Sequence, residues 1–212
     1  MVPGLNFFGD DEKEALHAGP STLNPPPTRL IVGISGASGV VHGIRVLQML
    51  ERLGVESHLV MSRAAEVTLS HESDMKLAEV RALATHWHKM EDIGAAPASG
   101  SFRSLGMIVA PCSIRTMSEI ATGVTSSLLT RAADVTLKER RRLVLMVRET
   151  PLHTGHLRTM LQLSEMGAVI APPAPAFYTR PQSLDDMVEH TVGRMLDLFG
   201  LDCGTIKRWG EE

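Results

Sequence analysis

The chain has 212 residues, of which 43% are hydrophobic, 21% charged and only 4% aromatic, with a formal net charge of −3. This length and apolar content suit one globular domain with tails, and the slight negative charge argues against nucleic acid as the main partner. The apolar runs are too short to span a bilayer, and Cys112 and Cys203 provide neither a disulfide framework nor a metal-ligand spacing. Because the first residues do not resemble a signal peptide, we expect a cytoplasmic protein that does not bind membranes.

The two ends of the chain differ in composition from its middle. Residues 1–28 contain the acidic run Asp10–Glu14 and the prolines Pro25–Pro27, so we predict a flexible N-terminal extension. Residues 29–200 carry the apolar periodicity of a single folded domain, and residues 201–212 are left as a C-terminal tail.

The first strand ends in a turn that suits a phosphate. Leu30–Ile34 is an apolar run, Gly36–Gly39 is rich in glycine and serine, and helical spacing begins at Val40. Such a turn directs unpaired N–H groups and the positive end of a helix dipole at one point, although an ordinary βα turn can have the same residues. The spacing is not Gly-x-Gly-x-x-Gly, and the second strand, Glu56–Met61, ends at Ser62 instead of an acid. The turn therefore favours a mononucleotide or another phosphate ester over NAD.

Helices and strands alternate along the rest of the domain. The pattern predicts strands over about 30–34, 56–61, 106–110, 143–147 and 168–171, and helices over about 40–53, 62–70, 76–85, 111–122, 127–140, 153–166 and 183–199. Five strands alternating with helices indicate an α/β fold with a doubly wound parallel sheet of the Rossmann or flavodoxin type. The pattern does not fix the strand order.

A histidine-rich stretch lies between the second and third of these strands. Residues 86–104 are predicted to form a long loop that contains His86 and His88, with His71 nearby. Their spacing and the lack of adjacent carboxylates favour a surface loop over a metal site.

Polar residues follow two further strands. Gly106–Ala110 runs into a helix whose first turn contains Ser113 and Thr116, a second turn suited to an anion. Arg148 and Glu149 follow the strand 143–147, at the edge where α/β folds place chemistry, although a surface ion pair is the alternative. Two or more such turns would face one crevice.

Three other features of the second half carry charge or an aromatic hydroxyl. Arg131 and Lys138 lie seven residues apart on one helical face, where solvated charges are the default interpretation. Prolines in 172–175 fix the approach to Tyr178, and the last helix presents Arg194.

Seven segments in the same order resemble the flavin prenyltransferase family, the UbiX-type proteins once described as aromatic-acid decarboxylases. The resemblance covers about Arg29 to Phe199, and each segment is weak alone whereas the set is specific. The segments are Gly33–Gly39, Met61–Ala65, Pro111–Thr116, Thr130–Arg140, Val147–Pro151, Phe177–Tyr178 and Pro181–Asp186.

This resemblance implies an enzyme that joins a dimethylallyl group from dimethylallyl monophosphate to N5 and C6 of reduced FMN. The product, prenylated FMN, would serve a separate decarboxylase as its cofactor. The implied chemistry uses no metal, which agrees with the lack of an Asp-rich diphosphate motif. The resemblance also implies a homo-oligomer, commonly a dodecamer, in which neighbouring subunits and the tail with Trp209 close the site.

The resemblance assigns roles to individual residues. It implies that Glu149 is the acid–base group and Ser38 its relay. The implied flavin contacts are Gly36, Ala37, Ser38, Ser62, Ser113, Ile114, Arg115, Thr116 and Arg148. The implied ligands of the prenyl phosphate are Arg131, Lys138, Tyr178 and Arg194. These residue types suit the reaction, because cations and a phenolic O–H neutralise a departing phosphate while an acid supplies a proton.

Two alternative functions remain beside the prenyltransferase. A flavin-dependent cysteine decarboxylase would have Pro-Ala-Ser-Ala-Asn-Thr where this chain has Pro111–Thr116, with Arg115 in place of Asn, and a histidine before the first helix, whereas His42 lies inside it. A non-enzymatic FMN carrier would need neither Glu149 nor Tyr178 and Arg194, so the presence of these residues favours the enzyme. The segment Val124–Leu128 also departs from the family, which often has Asn or Asp beside Leu there.

Overall fold

The structure is a computed structural model that describes residues 28–206, 208 and 210. Its strands are β1 (Arg29–Ile34), β2 (Glu56–Met61), β3 (His86–His88), β4 (Gly106–Cys112), β5 (Arg142–Val147) and β6 (Val169–Ile170). Its helices are α1 (Val40–Arg52), α2 (Arg63–Glu72), α3 (Leu77–Ala82), α4 (Ile114–Ala121), α5 (Leu128–Lys138), α6 (Thr154–Glu165) and α7 (Leu184–Asp197). Short 3₁₀ turns occupy Ala96–Ala98 and Phe177–Thr179.

The six strands form one parallel sheet in the order β3-β2-β1-β4-β5-β6. The chain winds outward from β1 in one direction as far as β3 and then returns to build β4, β5 and β6 on the other side. This is the doubly wound order of Rossmann folds, and the direction of winding reverses between β1 and β4. The predicted fold class is therefore confirmed, and the strand order that the sequence left open is settled.

Alternating residues of each central strand belong to two separate cores. Leu30, Val32 and Ile34 of β1 pack in the core that also contains Val46, Leu50 and Leu196 of α1 and α7. The second core contains Ile31 of β1, odd-numbered residues of β4 and β5, and apolar side chains of α4, α5 and α6. Because both faces of the sheet are covered, the strands read as continuous apolar runs instead of alternating patterns.

The predicted loop over 86–104 is wrong in its first three residues. His86–His88 forms β3, which pairs with His58–Val60 of β2 in parallel. The segment His-Trp-His is short and polar. It lies at the edge of the sheet, where the strand is largely exposed to solvent, so it needs little apolar content. The sheet consequently has six strands where the sequence predicts five.

Other differences from the predicted elements are at their ends. β4 continues two residues beyond Ala110, and α3 is shorter than the predicted 76–85. Serine side chains cap three of these helices: the hydroxyls of Ser62, Ser113 and Ser183 accept from the N–H groups of Ala65, Thr116 and Asp186.

The terminal predictions lie mostly outside the described residues. The N-terminal extension is described only at Thr28, and Trp209 in the tail is not described. Across residues 28–206, 208 and 210, the structure contains no helix of sufficient length and apolar character to cross a membrane.

Candidate active site

A cavity of about 810 Å³ opens at the carboxyl edge of the sheet, beside the point where the winding direction reverses. This size falls within the range of small-molecule sites, and this edge is where doubly wound folds bind their ligands. Loops after five strands, together with the turn before α5, contribute to its wall. The lining residues are Gly36, Ala37, Ser62, Arg63, Ala64, Met90, Glu91, Ile93, Ser113, Ile114, Arg115, Thr116, Glu119, Ser126, Ser127, Arg148 and Glu149.

Ser35 fixes the two central loops of the cavity relative to each other. Its hydroxyl donates to the Pro111 carbonyl at 3.0 Å, and its Oγ accepts from the Ser113 N–H at 2.7 Å. Its own N–H also donates to the Pro111 carbonyl at 3.1 Å. Ser35 is 1% exposed, so these bonds satisfy a buried hydroxyl and join the ends of β1 and β4. Ser35 is not among the site residues predicted from the sequence.

Gly36 allows close contact between the turn after β1 and the first turn of α2. A Cβ at Gly36 would lie 2.3 Å from the Ala64 Cβ and 3.1–3.2 Å from its backbone carbons. Only glycine fits this approach without displacing one of the two segments. The requirement for glycine here is therefore steric.

Two helix N-termini, those of α2 and α4, face the cavity. Ser62 and Ser113 cap them, and each Oγ accepts a first-turn N–H, at 3.1 Å and 3.2 Å respectively. Ser113 also donates to the Thr116 Oγ1 at 3.2 Å. The first N–H groups of any helix lack intrahelical partners, so both ends present donors together with a positive dipole. These ends can hold a phosphate or another polar oxyanion.

The N-terminus of α1 is already bound to a carboxylate. Glu72, at the end of α2, accepts from the N–H groups of Gly39 and Val40 at 2.8 Å and 3.1 Å. Despite partial desolvation, hydrogen bonds from Ser38 and these two N–H groups, together with nearby Arg148, lower the pKa of the Glu72 carboxyl. The prediction that this turn presents unpaired N–H groups is therefore wrong for Gly39 and Val40. Ser38 lies beside the lining residues Gly36 and Ala37, with its hydroxyl bonded to Glu72.

Arg148 and Glu149 lie at the mouth of the cavity. The Arg148 N–H donates to the Cys112 carbonyl at 3.0 Å and so ties the end of β5 to that of β4. The Glu149 Oε1 accepts from the Thr150 N–H at 2.9 Å, and both side chains are exposed to solvent. Cys112, beneath them, is buried, and desolvation raises the pKa of its thiol to about 12. Its thiolate is therefore not available as a nucleophile at neutral pH.

The four residues predicted to bind the prenyl phosphate do not line this cavity in a single chain. Arg131 pairs with Asp134 at 2.8 Å, Lys138 pairs with Glu139, and Arg194 pairs with Asp197. The Tyr178 hydroxyl lies 3.5 Å from His190 Nε2, and 46% of the residue is exposed.

The cavity wall includes residues that the sequence analysis did not assign. Met90, Glu91 and Ile93 follow β3, and they were not identified because this strand was predicted as part of a loop. Ser126 and Ser127 belong to the segment Val124–Leu128, which the sequence analysis noted only as a departure from the family pattern. The cap position before α5 is the signal that could have identified Ser127, since its hydroxyl accepts from the Thr130 N–H.

Comparison with known proteins gives one consistent family. The family model described as Flavoprotein matches residues 19–196. The flavin prenyltransferase UbiX of Escherichia coli strain K12 is 62% identical over 174 residues, which are 82% of this chain and 92% of that protein.

Two solved structures are similar to the chain over most of its length. One is the crystal structure of AnUbiX (PadA1) in complex with FMN and dimethylallyl pyrophosphate, with TM-score 0.86 and 52% identity, covering 88% of this chain and 99% of that one. The other is a dodecameric FMN-dependent UbiX-like decarboxylase from Escherichia coli O157:H7, with TM-score 0.84 and 48% identity, covering 87% of this chain and 100% of that one. The chain therefore belongs to the UbiX-type flavin prenyltransferase family, within the wider flavoprotein family.

Proposed function

We propose that the protein is a flavin prenyltransferase that transfers a dimethylallyl group from dimethylallyl monophosphate to N5 and C6 of reduced FMN. The observation that carries this proposal is the arrangement of the cavity: two serine-capped helix N-termini line it, and Arg148 and Glu149 lie at its mouth. The cavity volume of about 810 Å³ is large enough for a three-ring flavin with its phosphate tail. The relatives described above support the same reaction class.

The residues of the cavity fit the polar end of FMN. Ser62 and Ser113 use their Oγ atoms as acceptors toward the helix backbone, and the Ser62 hydroxyl hydrogen remains free to donate to a phosphate. The first turns of α2 and α4 add N–H donors, and Arg148 adds a positive charge. Gly36, Ala37, Ile114, Arg115 and Thr116 complete the flavin contacts in this proposal, together with Ser38.

Glu149 is the acid–base group in this proposal. Reduced FMN supplies the nucleophilic atoms N5 and C6, and the bond that breaks joins the allylic carbon to the phosphate oxygen. Glu149 holds or delivers the proton that the departing phosphate takes up, and Ser38 relays it. The apolar side chains of Met90 and Ile114 line the cavity and would help to keep water from the reacting carbon.

The ligands of the prenyl phosphate come from neighbouring copies in this proposal. Arg131, Lys138, Tyr178 and Arg194 are not among the lining residues of the cavity, and Phe177 beside Tyr178 is 68% exposed. An exposed aromatic pair of this kind suits a subunit interface. We propose that assembly, as in the dodecameric relative, brings these side chains to the cavity of an adjacent subunit.

The product implies a partner. Prenylated FMN has no further use in the proposed reaction, so we propose that a separate decarboxylase receives it as a cofactor. We also propose that residues 29–200 are the flavin-binding domain, with residues 1–28 and 201–212 as extensions, and that the protein acts in the cytoplasm.

The proposal is tested by incubating the protein anaerobically with reduced FMN and dimethylallyl monophosphate and then measuring the mass of the extracted flavin. We expect the mass of FMN with one added five-carbon unit. Binding of FMN without any mass change would contradict the enzyme and favour the non-enzymatic carrier. Release of carbon dioxide from a cysteinyl peptide would favour the decarboxylase instead.

A further inference from the structure

A cluster of three histidines and a glutamate lies on the neighbouring strands β2 and β3, outside the lining of the flavin cavity. Glu56 and His58 are two residues apart on β2, and His86 and His88 are two residues apart on β3. The parallel register places His58 beside His86, and side chains two residues apart share one face of a sheet. Glu56 is the first residue of β2. The flavin cavity begins beyond the last residue of this strand, which is about 16 Å from Glu56 at the usual rise per residue.

Three atoms of this cluster converge in a way that suits a metal ion. The Glu56 Oε1 lies 2.8 Å from His58 Nε2 and 3.5 Å from His86 Nε2. The ligand atoms of Glu56, His58 and His86 all lie within 4.8 Å of one another. Tetrahedral zinc with bonds of about 2.0–2.1 Å separates its ligand atoms by about 3.3 Å, so small side-chain movements would complete the geometry.

A fourth residue orients the most buried of these ligands. His58 is 5% exposed, and its Nδ1 lies 3.0 Å from His88 Nε2. Metal-bound histidines usually donate their other ring N–H to a nearby acceptor, which fixes the tautomer. When Nε2 of His58 binds a metal, Nδ1 carries the hydrogen and can donate it to His88.

Arg29 orients the carboxylate of Glu56. Arg29 lies 3.3 Å from the other carboxylate oxygen, Oε2, so Oε1 remains on the histidine side.

We propose that Glu56, His58 and His86 bind one zinc ion, with His88 as the positioning residue for His58. Glu56 and His86 also line a surface groove of about 550 Å³, which leaves water access to the fourth coordination position. The sequence spacing alone did not reveal the site, because two of its residues lie on an edge strand that was predicted as a loop.

The site would fasten the edge strand to the sheet. β3 has only three residues and a partner on one side only, so its few backbone hydrogen bonds hold it weakly. Zinc would cross-link β2 and β3 through side chains of both strands. Met90, Glu91 and Ile93 follow directly after β3 and line the flavin cavity, so the zinc ion would also steady one wall of that cavity.

The test is zinc binding by the full chain, produced without a histidine tag and freed of metal by chelation. We expect one equivalent of zinc per chain in a competition titration with a chromogenic chelator, and cobalt in place of zinc should give the intense visible bands of tetrahedral coordination. His86→Ala should weaken zinc binding by about 100-fold or more. His88→Leu should weaken it by about 10- to 100-fold.

His71→Ala is the matched control, because His71 is an exposed histidine outside the cluster, on α2. It should bind zinc like the wild type. His86 is also exposed, with 53% of its side chain accessible, so its removal should leave the fold intact, which circular dichroism would check. Hydrogen exchange should slow in residues 86–93 when zinc is added to the wild type and not to His86→Ala.

Three results would overturn the zinc site. The first is no uptake of zinc or cobalt by the wild type even at a large molar excess. The second is wild-type affinity in His86→Ala, which would show that the ion binds elsewhere. The third is a cobalt spectrum typical of octahedral coordination that disappears in His71→Ala. Such a result would show that the ion binds adventitiously at the surface through His71.

Discussion

The pair Arg148 and Glu149 allows flavin binding and catalysis to be separated by two substitutions at adjacent positions. In Glu149→Gln, the amide oxygen can still accept the Thr150 N–H that the carboxylate accepts at 2.9 Å. The loop should therefore keep its shape, and an exposed substitution of this kind changes the free energy of unfolding by no more than about 0.5 kcal/mol. The amide cannot deliver a proton, so the prenylation rate should fall about 100-fold or more.

Arg148→Ala should have the opposite effect. Its backbone N–H still donates to the Cys112 carbonyl at 3.0 Å, so the end of β5 should remain in place. Loss of the guanidinium would remove the proposed charge-assisted contact to FMN, worth about 1.5–3 kcal/mol, which corresponds to a dissociation constant roughly 10- to 150-fold higher. Once FMN is saturating, the rate should recover much of its wild-type value.

Both variants would be titrated with FMN by fluorescence quenching and then assayed anaerobically for prenylated product by mass spectrometry. Glu165→Gln and Arg103→Ala are matched controls, since both residues are exposed and neither lines the cavity. The role assignment is wrong if Glu149→Gln loses FMN while Arg148→Ala retains it. Normal turnover by Glu149→Gln would refute the proton-transfer role on its own.

Three further predictions concern the frame around the cavity. Gly36→Ala places a methyl group 2.3 Å from the Ala64 Cβ, and the resulting overpacking of about 1–3 kcal/mol should weaken FMN binding in a fluorescence titration; wild-type affinity would contradict the steric argument. Glu72 has a lowered pKa, so its stabilising charge is present above its ordinary pKa of 4.5 and is lost as the pH falls through the lowered value. Tm of the wild type should accordingly drop more steeply below about pH 4.5 than Tm of Glu72→Gln, and parallel curves would count against this linkage. Mixed assemblies of Lys138→Ala and Glu149→Gln chains should regain about a quarter of wild-type activity if each site takes Glu149 from one subunit and Lys138 from another, because both residues are then intact in about a quarter of the sites. No recovery of activity would place Lys138 and Glu149 of the same chain in one site.

The sequence predicts most of the fold because long apolar runs and helical periodicity are strong local signals. β1, β2 and β5 were found nearly to the residue, since each is buried on both faces by helices. β3 was not found, because three residues with two histidines have no apolar periodicity. The strand order was also beyond the sequence, since it depends on contacts between segments that are distant along the chain.

The cavity could be predicted in part for a similar reason. The carboxyl ends of parallel strands meet at one edge, so the residues after β1, β2, β4 and β5 were expected together and do lie together. The bond of Glu72 to the N-terminus of α1 could not be predicted, because it joins residues 33 positions apart through a side chain. The cluster of Glu56 with three histidines was missed for the same reason, as its two halves come from different strands.

The distribution of charge over the protomer is consistent with a site completed by assembly. Arg131, Lys138 and Arg194 each pair with an acid close by in the sequence, namely Asp134, Glu139 and Asp197. The pairs of Arg131 and Lys138 are exposed, and such pairs contribute little to stability, so in the proposed site a doubly charged phosphate would replace the acid as the partner of these cations at little cost. The acids would thus keep the cations satisfied in the isolated chain, while the cavity proposed for FMN is lined by residues of one chain. The proposed assembly would therefore add the ligands of the prenyl phosphate to a cavity that the single chain already contains.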